Sequence, residues 1–166
     1  MNSDKALEEA FHYFTKKVND NEDYKTSPWN EGFFTYLFTK KQQNILKRIC
    51  LKEGWELPEN YGITIKGEFI LHVLNSRKKK DQTTMYECAE ILSASFSSKS
   101  EISINIGYEE QAVVLNSVKK INVQKNTYYA SAFFSVGEKL ESKTAYHTNY
   151  TKLKRILDDR KKCIGS

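Results

Sequence analysis

Proline and glycine are scarce in this chain, at two and seven residues of 166. That scarcity excludes a collagen-like, linker-like or low-complexity protein. Cysteine is scarce too: Cys50, Cys88 and Cys163 are far apart, odd in number and form no CxxC pair. Neither a disulfide framework nor a zinc ribbon is indicated, and a reducing compartment is the simplest reading. No apolar run approaches the ~18 residues of a membrane span. The opening MNSDKALEEAF lacks the basic-then-apolar pattern of a secretory signal, so a cytoplasmic protein with no membrane partner is expected. A phosphate-binding glycine loop, GxSxG and HExxH are also missing, and no metal or cofactor is expected.

Apolar area, by contrast, is ample. Hydrophobic residues make up 39% and aromatics 13%, with ten Tyr and nine Phe, enough for the core of one domain with an appendage. The net charge of +5 suits an anionic partner without identifying one.

Periodicity divides the chain. Leu7, Ala10, Phe11, Phe14 and Val18 recur at helical spacing behind Ser3 or Asp4 as a cap. A second helical stretch is expected from Pro28, with Trp29, Phe33, Phe34, Leu37 and Phe38. Thr39 and Gln42 form a capping-box signature ahead of Ile45, Leu46, Ile49 and Cys50, and Gly54 ends that helix. Leu57 to Gly62 is the best internal boundary, so residues 1–57 are expected as a helical extension and 62–166 as the main domain. There, Ile63–Ile65 reads as a short strand and Gly67–Ser76 as a helix. The basic run Arg77-Lys78-Lys79-Lys80 leads to a loop, and a helix capped by Thr83 or Thr84 runs to about Phe96.

Beyond it the period falls to two. Ile102, Ile104 and Ile106 alternate with polar residues, and strands follow at Ala112–Leu115, with Val118–Val123 as its continuation or a separate strand, then at Thr127–Val136 and Leu140–His147. Gly137-Glu138 is a hairpin turn. Asn149–Lys162 reads as a closing basic helix. Helices followed by strands mean α+β: N-terminal helices, a four-stranded antiparallel meander and a C-terminal helix.

Two places carry chemistry-bearing residues. His72 lies on the helix EFILHVLNSR, where an imidazole of near-neutral pKa can act as a general base or simply serve structure. Arg77 can hold a phosphate with its planar fork, and Lys78 adds charge, although such runs are commonly solvated surface. The strand end LESKTAYHTNY supplies the second place. Strand alternation puts Ser142, Thr144 and Tyr146 on one face and Lys143, Ala145 and His147 on the other. Hydroxyl and phenol groups there could bond a phosphate oxygen, and Thr and Tyr are also plain strand formers. Tyr128, Tyr129, Phe133 and Phe134 could stack bases or fill a core.

The order ITIKGEFILHVLNSR, MYECAEILSASF, ISIN, AVVLNSV, YYASAFFSV and LESKTAYH, over Gly62 to Tyr150, resembles the barnase–EndoU–colicin–RelE-like nuclease group of phages and bacterial toxins. That resemblance implies metal-free RNA cleavage, in which the ribose 2′-hydroxyl attacks phosphorus and leaves a cyclic phosphate. His72 would be the general base or acid, with Arg77 and Lys143 stabilising the phosphorane. Thr144 and Tyr146 would hold the scissile phosphate, and Tyr146 or His147 would be the second proton carrier. RNA, with tRNA as one form of it, would be the substrate, and an inhibitor or immunity protein a partner. The rival reading is a non-catalytic phage or bacterial binding protein, such as a defence inhibitor or immunity partner. Only three histidines and a modest net charge favour that rival.

Overall fold

The computed structural model describes residues 3–20, 32–105 and 111–148. Along them run α1 (Ser3–Asp20), β1 (Gly32–Leu37), α2 (Lys40–Glu53), β2 (Gly62–Lys66), α3 (Gly67–Asp81) and α4 (Met85–Ser95). Five strands follow: β3 (Glu101–Ile104), β4 (Ala112–Asn116), β5 (Ile121–Val123), β6 (Asn126–Val136) and β7 (Leu140–Thr148). The sheet order is β1-β2-β7-β6-β4-β3, with β5 paired to β6.

The class is α+β, but the expected four-stranded antiparallel meander is corrected to a seven-stranded mixed sheet. Strands β3 to β7 pair antiparallel among themselves. β1 and β2 form an antiparallel pair of their own. The two groups join where β2 runs parallel to β7, with Ile63 opposite Leu140. The expected closing helix Asn149–Lys162 lies outside the described residues, as do Pro28, Trp29 and Ile106.

The segment read as a second helix is β1. GFFTYL holds three aromatics and the β-branched Thr35, residue types that suit a pleated, half-buried surface. Buried Tyr36 sits between exposed Thr35 and Leu37, a period of two rather than 3.6. Four aromatics and Leu37 had mimicked a helix face. Phe14 stacks on Phe33 at 4.3 Å between ring centroids, and Phe11 meets Phe34 edge-on at 5.0 Å. Phe11, Val18, Tyr36 and Leu46 therefore share one core with Leu92, Ile102 and Phe134.

Helix termini follow local chemistry. Thr39 and Gln42 close a capping box on α2, and Gly54 takes the left-handed conformation after it, at φ 73°. Thr84 and Glu87 form the equivalent box on α4. α3 outlasts its expected end: Arg77 to Lys80 form its last turns, where cations favour the negative end of the helix dipole, and Gln82 closes it at φ 55°.

Gln42 does more than cap. Its side-chain oxygen accepts from the Tyr36 hydroxyl at 2.8 Å, and its amide donates to the carbonyls of Ser97 and Ser100 at 3.0 and 2.9 Å. One buried amide thus ties β1 and α2 to the turn after α4. Burial pushes the Tyr36 phenol up to about 12, so it stays a hydrogen-bond donor across the ordinary pH range. Replacing Gln42 by Ala leaves the buried Ser100 carbonyl without this donor. The expected loss is about 2–4 kcal/mol in urea-unfolding stability; a loss under about 0.5 kcal/mol contradicts the role given to this clamp.

Candidate active site at the α3–β7 junction

The chain turns from β2 straight into α3 at Lys66–Gly67. Because β2 is parallel to β7, α3 packs on β7. Ile70 and Val73 are buried in the core, while His72 faces outward. Arg77, 8% exposed, turns inward at the helix end. Its guanidinium carbon lies 5.6 Å from the centre of the Tyr146 ring on β7, within cation–π range. Tyr146 in turn stacks on Phe133 of β6, with centroids 5.2 Å apart and planes 25° from parallel.

The β6–β7 register contains a bulge that sequence alternation does not reveal. Phe133 pairs with Thr144 and Phe134 with Ser142, which leaves Lys143 as the extra residue. Thr144 and Tyr146 remain on one face, the face of Phe133. Ser142 passes to the opposite face with Phe134, so the expected polar row of Ser142, Thr144 and Tyr146 is shortened to two. The bulge also turns Lys143 out, and its ammonium lies 3.9 Å from the Glu141 carboxylate.

His72 and Lys143 line the same open cavity of about 1100 Å³. It extends over the outer face of β1 and β2, where Thr35, Thr64 and Lys66 contribute to its wall, and it includes Tyr61 and Glu68. Carboxylates at Glu59, Glu68 and Glu141 balance lysines at Lys66, Lys139 and Lys143. Partial burial, then the charges of Lys80 and Arg77, hold the His72 imidazole below its ordinary value. It is therefore neutral at pH 7 and can accept a proton.

His147 stands apart. It pairs with Ala130 beside buried Ala145, on the face opposite Tyr146, and its ring meets Tyr128 edge-on at 4.6 Å. It lies on the side of the sheet that faces α4 and is the least of the groups that hold the Glu87 carboxyl below its ordinary value. Lys78 is exposed on α3 next to Arg77. The structure thus brings His72 and Lys143 to one cavity, and Arg77 and Tyr146 into contact. It puts Thr144 on the Tyr146 face and turns His147 away. Lys66, Thr64, Thr35 and Tyr61 were not anticipated as wall residues, because their part depends on β1 being a strand. The strand-forming aromatics and threonine of GFFTYL were the one sequence signal for it.

Comparison with protein-family models, curated proteins and solved structures finds no match to this chain.

The lowered His72 pKa has a signed consequence. A histidine whose folded pKa lies below its unfolded value disfavours folding as pH falls through 6.5 toward the folded value, and has no such effect above it. An NMR titration of the histidine ring signals should place the His72 midpoint below 6.5, and Lys80→Ala should move it upward. A midpoint at or above 6.5 contradicts the electrostatic setting described.

Proposed function

We propose that this protein is a metal-independent endoribonuclease whose site is the α3–β7 junction. The observation that carries the reading is the Arg77–Tyr146 contact. It joins the helix bearing a neutral, outward-facing histidine to the strand bearing Thr144. In this reading His72 takes the proton of the ribose 2′-hydroxyl as that oxygen attacks the adjacent phosphorus. Arg77 and Lys143 offset the charge that builds on the phosphorane oxygens, where positioned donors act most strongly. Thr144 and the Tyr146 phenol orient the scissile phosphate, and the phenol, which shares the Thr144 face while His147 lies on the other, is the carrier that returns a proton to the leaving oxygen. The resemblance to the barnase–EndoU–colicin–RelE-like nucleases supports the same division between a helix and the final strand. A toxin or phage-effector role belongs to this proposal as well.

A second reading has its own supporting observation. The carboxylates Glu59, Glu68 and Glu141 offset the lysines of the cavity, which suits a binding protein that docks a mixed-charge partner without chemistry.

Incubation with total RNA in EDTA separates the two. The ribonuclease reading expects cleavage products ending in 2′,3′-cyclic phosphate. It also expects His72→Ala to slow cleavage by about 10²–10⁴-fold, the usual worth of a general base. Arg77→Lys, which keeps the charge and loses the planar fork, should slow it by a smaller factor. Intact RNA with the wild-type protein contradicts the enzyme reading and favours the binding one.

A further inference from the structure

Helices α1 and α4, which pack on each other, carry a second cluster of side chains. On α1, Glu8 and His12 are four residues apart and so lie on one face. On α4, Glu90 faces them: its carboxylate oxygen is 3.4 Å from His12 Nε2. One donor atom from each of the three side chains fits within a span of 4.8 Å. All three are part-buried, with the His12 and Glu90 side chains at 27% and 21% exposure.

We propose that Glu8, His12 and Glu90 bind a divalent transition-metal ion, zinc by preference, which clasps α1 to α4. The spacing is the first argument. Two atoms each about 2.0–2.1 Å from a tetrahedral ion lie about 3.3 Å apart. The His12–Glu90 separation of 3.4 Å matches that figure, while for a hydrogen bond it is long. A carboxylate oxygen of Glu8 lies within the same 4.8 Å span. Ligand chemistry is the second argument. One imidazole and two carboxylates suit zinc and its neighbours, whereas magnesium and calcium prefer oxygen donors alone. The third is the surrounding shell. Tyr86 hydrogen-bonds the Glu90 carboxylate, and its ring lies 5.0 Å from that of His12. Partners of this kind orient metal-binding side chains. Three protein ligands leave a position for water.

The function of the ion is mechanical. α1 packs along α4, with Phe11 stacked on Phe96 just past the end of α4, and an ion shared by both helices adds a bond across their seam. None of the three residues belongs to the α3–β7 junction, and the inference stands or falls apart from the ribonuclease reading.

The test uses the full chain, stripped with EDTA and titrated with zinc chloride by calorimetry and by thermal unfolding. The proposal expects one ion per chain and a melting temperature that rises with zinc but not with magnesium, since an ion bound only by the folded state stabilises it. His12→Ala and Glu8→Gln should each weaken zinc binding at least about tenfold, no less than the loss of an outer-shell partner. Glu8→Gln leaves the His12–Glu90 contact in place, so it removes a ligand without breaking the pair between the helices. Absence of any zinc-dependent shift in the wild type means an ion pair only and overturns the proposal. Binding that survives both substitutions, as it would on the buried thiols Cys50 and Cys88, also overturns it.

Discussion

The parallel pairing of β2 with β7 at Ile63 and Leu140 is the constraint on which the arrangement depends. It is the only parallel step in the sheet among the described residues. It also joins an early hairpin-like pair, β1 and β2, to the antiparallel group of the second half. A parallel neighbour requires a crossover, and α3 and α4 are the first elements of that crossover. Once β2 is fixed beside the start of β7, the helix that follows it is held against the remainder of β7. The meeting of Arg77 with Tyr146, and of His72 with Lys143 across one cavity, follows from that placement.

Two local devices refine it. The bulge at Lys143 lets one strand serve two environments. Its first residues stay beside β2, and after the extra residue Thr144 and Tyr146 are aligned with Phe133. Bulges commonly redirect a side chain next to a site in this way. The Gln42 clamp does the same for the other wall, since it fixes β1 against the turn after α4 through Tyr36. Without a fixed β1, the face carrying Thr35 and Thr64 would not be part of a cavity. The site rests on contacts between segments far apart in sequence, and its groups are held by packing rather than by a local motif.

That dependence explains what could be read from the sequence. Features set by near neighbours were legible: the capping box of α2, a threonine cap for α4, the glycine stop at Gly54, the alternation of β6 and the order of α3, α4 and the later strands. The α+β class followed from that order. Features set by distant partners were not. β1 passed for a helix because Phe33, Phe34, Leu37 and Phe38 satisfy a helical spacing as well as a strand one, and only pairing with β2 decides between them. The bulge moved Ser142 across the sheet, and it arises from the β6–β7 register rather than from any residue type. Arg77 was read as the start of a basic run leading to a loop, yet it is buried in α3, where its guanidinium lies over the ring of Tyr146, far along the chain. Of the proposed site, the residue types were visible; which of them meet was not.

The central claim is that α3 and β7 form a single RNA-binding surface. The most direct measurement is an NMR titration with an RNA oligonucleotide methylated at every 2′-oxygen, which cannot supply the attacking hydroxyl and so remains intact. The account predicts that the signals of His72, Lys143, Thr144 and Tyr146 shift together along one saturation curve, while those of His147, on the opposite sheet face, move least. Shifts confined to another surface, or a His147 response larger than that of His72, would contradict it.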